Sequence, residues 1–80
     1  MTIKLIVADD HPIFRDGLVT TLSETGDFEV LGVGASAGEA VALARKHTPD
    51  VALLDLSMPG GGIEAAKEIV AGQLATHVAM

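Results

Sequence analysis

The sequence contains no cysteine, so disulfide bonds, thiolate metal sites and a cysteine nucleophile are all excluded. Packing alone must therefore hold the core, as is usual for proteins of the reducing cell interior. With 49% apolar content, a chain of 80 residues can form one compact core and no more. We expect residues 1–80 to form one domain.

Basic and aromatic residues are scarce. Five Lys and Arg stand against 11 Asp and Glu, the formal net charge is −6, and two Phe are the whole aromatic content. Direct nucleic-acid binding needs basic and stacking surfaces, so it is not expected of these residues. Every apolar run is far shorter than the roughly 20 residues that span a bilayer, and the first residues lack the layout of a signal peptide. We expect a cytoplasmic protein with no membrane contact.

Short apolar runs rich in Val, Ile and Leu alternate with segments of helical period. The runs extend from Ile3 to Ala8, from Phe28 to Val33 and from Val51 to Leu56, and His77 to Met80 begins a fourth. This alternation predicts an α/β fold with a parallel sheet. Because βαβ crossovers are right-handed, the carboxyl ends of all strands are expected along one rim of the sheet, where function is concentrated in such folds.

The helices are predicted from apolar periodicity and from capping residues. The first begins at Pro12 and ends at Gly26. Its predicted inner face consists of Phe14, Leu18, Thr21 and Leu22. Ser36 and Glu39 form a capping box that begins the second helix. The third follows the Pro59–Gly62 turn and ends at Gly72. Its predicted inner face consists of Ile63, Ala66, Ile69 and Val70.

Three carboxylates are predicted to meet at the rim. Asp9 and Asp10 follow the first strand and Asp55 follows the third, so they converge if these two strands are neighbours. Like charges this close favour a bound cation or a shared proton, and an oxygen-rich site suits Mg²⁺. An Asp after a strand also serves as a helix cap, a role open to Asp10 at the helix that starts at Pro12.

Two segments resemble the two-component response regulators. The first is Ile6 to Pro12, IVADDHP, and the second is Leu53 to Gly60, LLDLSMPG. The stretch from Asp10 to Leu18, DHPIFRDGL, is similar to the subfamily whose receivers are joined to LuxR-type DNA-binding domains. The resemblance implies a doubly wound, flavodoxin-like and CheY-like sheet with strand order 2-1-3-4. Residues 1–80 would be a partial receiver domain that ends after the start of strand four.

The resemblance also implies a function. Asp55 would take a phosphoryl group from the phosphohistidine of a sensor histidine kinase, so the chain would be a phosphoacceptor and not a turnover enzyme. Mg²⁺ would be held by Asp10, Asp55 and the backbone carbonyl of Ser57, with Asp9 acting through water. The full-length protein would bind DNA through an output domain.

The departure from the family pattern concerns the switch residues. A complete receiver has five βα units and uses a Thr or Ser and a Lys that would lie beyond Met80. We therefore expect slow phosphorylation and impaired switching. An open edge at strand four also predicts self-association, by edge pairing or exchange of elements.

Two alternatives remain open. Gly34-Ala35-Ser36-Ala37-Gly38 matches the G-x-S-x-G pattern of a hydrolase nucleophile elbow, with Ser36 as the nucleophile. The other alternative is a metal-free interaction or dimerisation module. His11, His47 and His77 lack metal-ligand spacing and are assigned to surface or cap roles.

Overall fold

The computed structural model describes residues 2–55 and 57–79. The strands are β1 (Ile3–Ala8), β2 (Phe28–Gly34), β3 (Val51–Leu54) and β4 (His77–Ala79). The helices are α1 (Pro12–Glu24), α2 (Ala37–His47) and α3 (Gly62–Ala71). The predicted alternation is confirmed. Leu56 and Met80, which we assigned to strands, lie outside the described residues.

The four strands form one parallel sheet in the order β2-β1-β3-β4. This is the predicted doubly wound architecture. The register aligns the carboxyl ends of β1, β2 and β3. Ala8 of β1 pairs with Gly34 of β2 on one side and with Leu54 of β3 on the other. The residues that follow β1 and β3 therefore leave the sheet at the same level.

One face of the sheet is covered by α2 and α3. The main core forms there, between alternate residues of β1 and β3 and the inner faces of the two helices. Small residues make this close packing possible, because Ala40, Ala44 and Ala65 let the helices approach the sheet. The members with no solvent exposure are Ile6, Ala40, Ala44, Ala52 and Ile69.

The opposite face is covered by α1, which buries none of its residues fully. Leu5 and Val7 of β1 are nonetheless buried, and Leu18, Val19 and Leu22 of α1 are half-buried. Two predictions for α1 are wrong, since Phe14 is 63% exposed and Thr21 is exposed as well. The helix contacts mainly β2 and β1, and a groove separates Phe14 of its first turn from the strands.

The predicted inner face of α3 is wrong at two positions. Ile63 and Val70 are exposed, whereas the buried residues follow the spacing i, i+3, i+4, i+7. They are Gly62, Ala65, Ala66 and Ile69. Close packing against α2 requires small residues on the inner face of α3, so the bulkier Ile63 and Val70 lie outside this contact. None of the helices in the described part of the chain combines the length and apolar character needed to cross a membrane.

Candidate functional site

The three predicted carboxylates meet at the rim of the sheet. The Asp55 backbone N–H donates to the Ala8 carbonyl at 2.9 Å, and the Asp9 N–H donates to the Gly34 carbonyl at 3.0 Å. These bonds continue the sheet by one residue and bring the two loops side by side. One ligand atom from each of Asp9, Asp10, His11 and Asp55 lies within 4.8 Å of the others. The predicted convergence of the acids is confirmed.

The three carboxylates differ in burial. The side chain of Asp9 is 9% exposed, against 32% for Asp10 and 23% for Asp55. The Asp10 Oδ1 atom is buried and accepts no hydrogen bond within the described residues. A buried carboxylate oxygen that accepts no hydrogen bond is unfavourable, and a second and third carboxylate beside it increase the repulsion. The donor set therefore fits a hard divalent cation, which would satisfy this oxygen.

His11 is part of the cluster, which the sequence analysis missed. Its Nδ1 lies 2.9 Å from Asp9 Oδ1, 3.0 Å from Asp10 Oδ1 and 3.4 Å from Asp55 Oδ2. The hydrogen bond to Asp9, followed by the negative charge of Asp10, raises the pKa of His11 above its ordinary value. The prediction of a surface or cap role is incomplete: His11 occupies the N-cap position of α1, but its side chain makes no cap hydrogen bond. Its position directly after the acidic pair was the available signal.

The loop after β1 is held by Asp9 and not by Asp10. Asp9 Oδ1 accepts a hydrogen bond from the His11 backbone N–H at 2.8 Å. This turn satisfies a backbone donor before α1 begins, which is the task we considered for Asp10. The Asp10 side chain makes no such bond in the described structure, and one of its oxygens is left for the cluster.

Asp55 is stabilised in its charged form by Ser57. The Ser57 backbone N–H donates to Asp55 Oδ1 at 3.3 Å and its hydroxyl donates to Oδ2 at 3.0 Å. The backbone N–H of Ser57 is the main reason that the pKa of Asp55 lies below its ordinary value; the Ser57 hydroxyl adds to the effect, and partial desolvation opposes it. Asp55 is thus an ionised and partly accessible carboxylate at neutral pH. The role of the Ser57 carbonyl as a metal ligand stays a prediction.

Ser36 has a structural task. Its hydroxyl accepts a hydrogen bond from the Glu39 backbone N–H at 3.2 Å, and Glu39 Oε2 accepts one from the Ala35 N–H. The capping box predicted at α2 therefore exists, with the Glu39 carboxylate reaching the residue before the cap. Capping accounts for Ser36 without the hydrolase alternative.

Comparison with known proteins points to one family. The model of the response regulator receiver domain matches residues 5–80. The transcriptional regulatory protein NarL of Mycobacterium tuberculosis is 42% identical over 77 residues, which are 95% of this chain and 36% of that protein. The response regulator VraR of Staphylococcus aureus is 46% identical over 70 residues, or 86% of this chain and 34% of that protein. The chain thus spans about a third of the length of these relatives.

Solved structures agree with this result. The signal receiver domain of the Mycobacterium tuberculosis NarL superimposes with a TM-score of 0.90 at 39% identity, covering 96% of this chain and 63% of that one. A LuxR-family two-component response regulator from Aurantimonas gives 0.84 at 40% identity, covering 90% of this chain and 52% of that one.

Proposed function

Because this chain belongs to the response regulator receiver domain family, we propose that it accepts a phosphoryl group on Asp55 from the phosphohistidine of a sensor histidine kinase. Receiver domains of this family are signalling modules and not turnover enzymes. The observation that supports the proposal best is the meeting of Asp9, Asp10 and Asp55 at one corner of the sheet. The charged state of Asp55, favoured by Ser57, is what a nucleophile in this reaction requires.

The transfer involves a simple exchange of bonds. An oxygen of the Asp55 carboxylate attacks the phosphorus, an O–P bond forms, and the P–N bond of the phosphohistidine breaks. The product is an acyl phosphate on Asp55, and the leaving imidazole takes up a proton. The carboxylate is a weak nucleophile, so most of the rate must come from positioning and from compensation of charge.

Mg²⁺ is the cation that this proposal assigns to the site. Asp10, Asp55 and the Ser57 carbonyl would hold it directly, and Asp9 would act through water. When bound, the ion would reduce the repulsion between the carboxylates and the incoming phosphoryl group. The Asp10 Oδ1 atom supports this assignment, because it is buried, accepts no hydrogen bond within the described residues and belongs to a residue of the same cluster as Asp55.

The exposed start of α1 suits the approach of a kinase. Ile13 and Phe14 are both exposed, and Phe14 lines the groove that reaches Asp55. Apolar side chains beside an accessible nucleophile give a partner a surface on which to place its phosphohistidine. We assign DNA binding to an output region outside these residues, since relatives of which this chain covers about a third are named as transcriptional regulatory proteins.

We also propose that two copies of this chain associate through β4. The His77 N–H donates to the Asp50 carbonyl, so in a parallel strand the N–H and C=O of the next residue, Val78, point away from β3 toward the open edge. Two antiparallel copies of this edge would pair Val78 with its own counterpart, with exposed Ile63 and Val70 beside them. A sedimentation coefficient that stays monomeric at high concentration would contradict this proposal.

Incubation with acetyl phosphate and Mg²⁺, followed by intact mass measurement, tests the phosphoacceptor role. The wild type should slowly gain the mass of one phosphoryl group, and Asp55→Asn should gain none. Asp27→Asn is the matched control, because Asp27 is an exposed acid outside the cluster, and it should react like the wild type. No mass gain in the wild type would favour the metal-free interaction module.

A further inference from the structure

Arg15 connects the first turn of α1 to the loop that bears the acidic pair. Its Nη1 donates a hydrogen bond to the Asp9 backbone carbonyl at 3.2 Å. The Asp9 N–H donates to the Gly34 carbonyl. Both backbone polar groups of Asp9 are therefore hydrogen-bonded, the N–H to β2 and the carbonyl to Arg15 of α1. Asp9 Oδ1 in turn accepts the His11 N–H. Arg15 thus completes a set of bonds that fixes the loop between β1 and α1.

The partly buried environment of the Arg15 guanidinium contributes little to the stability of the fold. Its side chain is only 21% exposed, and Nε is buried without a hydrogen-bond partner. The nearest carboxylate is Asp16 Oδ1, 4.0 Å from Nε, and the Asp16 side chain is largely exposed. Burying a guanidinium donor without a partner is unfavourable, and one hydrogen bond of 3.2 Å to a neutral carbonyl compensates for little of it.

Repulsion between the carboxylates makes the Arg15 hydrogen bond important for the loop between β1 and α1. Asp9, Asp10 and Asp55 repel one another wherever the His11 ring between them is uncharged, and Asp9 and Asp10 lie on the loop between β1 and α1, which bears this repulsion. If the repulsion moves the carboxylates apart, bringing them together again on cation binding costs free energy, and this cost weakens binding. A carbonyl held by Arg15 resists the spreading before any cation arrives.

We infer that Arg15 is a positioning residue for the acidic site: through the Asp9 carbonyl it holds the Asp9 and Asp10 carboxylates where the proposed divalent cation would bind. This inference rests on the proposed function, since the cation is the one assigned there. The Arg15 side chain bonds the Asp9 backbone carbonyl and contacts none of the Asp9, Asp10 and Asp55 carboxylates.

Substitution of Arg15 separates positioning from structural support. Arg15→Met keeps the length and apolar stem of the side chain but removes all donors. It should weaken Mg²⁺ binding about five- to tenfold, the effect of one lost hydrogen bond, without lowering the thermal midpoint of the metal-free protein. The backbone amide of His11, bonded to Asp9, should exchange with solvent several-fold faster in metal-free buffer. Arg15→Lys should recover part of both losses, and Asp16→Asn should match the wild type.

Two results would overturn the inference. One is unchanged Mg²⁺ affinity and unchanged His11 exchange in Arg15→Met. The other is a fall in stability equal to the loss of affinity with no recovery in Arg15→Lys, which would indicate ordinary structural support. If Arg15→Met fails to fold, Arg15→Leu, which also lacks a donor for the Asp9 carbonyl, gives the same comparison. If the wild type binds no Mg²⁺, the proposed function fails, while His11 exchange in the metal-free variants still decides whether Arg15 holds the loop.

Discussion

The two faces of the sheet are built differently. The α2 and α3 face is densely packed, with Ala40 and Ile69 fully buried in one core cluster that also contains Ile6 and Ala52 of the sheet. On the α1 face, a groove of about 310 Å³ lies between the sheet and Phe14, and it reaches Asp9 and Asp55. The first face contains the larger part of the buried core, whereas the second leaves the acidic corner accessible. Structural and functional residues are therefore expected to separate by face.

The largest expected effect comes from truncating the packed face. Ile69→Ala should lower the free energy of unfolding by about 3 kcal/mol, because it leaves a cavity at a position with no exposure. Phe14→Ala provides the comparison on the face covered by α1. It should lower stability by less than about 1 kcal/mol, since Phe14 is already mostly in solvent. Urea titrations of both variants measure the difference; equal losses would show that the faces are not distinct.

A smaller effect is expected at the start of α2. Ser36→Ala removes the acceptor for the Glu39 N–H and should lower the free energy of unfolding by about 1 kcal/mol. Ser36→Asp, which preserves an acceptor at the cap, should recover most of this loss. If Ser36→Asp is as unstable as Ser36→Ala, the cap is not the source of the stabilisation.

The sequence predicted more of the sheet than of the helix surfaces. Apolar runs locate β1 and β3, and the shared rim of parallel strands brings Asp9 and Asp55 together before any coordinates are known. Periodicity did not predict that Ile63 and Val70 are exposed, because the contact between α3 and α2 is set by small residues. It also did not predict that His11 turns toward the acids, since a side-chain orientation depends on the neighbouring loop.

The pH response of His11 should distinguish the acidic corner from an ordinary exposed surface. Its pKa is raised in the folded state, so its stabilising contribution is complete below about pH 6.5 and is lost as the pH rises through the folded-state pKa. In metal-free buffer, Asp9→Ala should lower the His11 pKa toward its ordinary value. An NMR titration of the His11 ring in both proteins provides the test, and identical curves would contradict the hydrogen bond to Asp9.

The smallest expected effect concerns Asp55. Ser57→Ala removes the hydroxyl donor but leaves the backbone N–H, so the pKa of Asp55 should rise slightly and remain below its ordinary value. A lowered carboxyl pKa contributes stability above the unfolded-state value, and this contribution is lost as the pH falls through the folded-state pKa. Carboxyl carbon shifts followed by NMR would detect the change. A pKa equal to that of the wild type would mean that the hydroxyl does not act on Asp55.

Thermal unfolding at increasing Mg²⁺ concentration tests most directly whether Asp9, Asp10 and Asp55 form one cation site. The wild type should gain about 1.4 kcal/mol of stability when Mg²⁺ reaches ten times its dissociation constant. Asp10→Asn should lose most of this gain, while Asp27→Asn keeps it. Equal gains in all three proteins, or none in the wild type, would contradict a shared site at this corner.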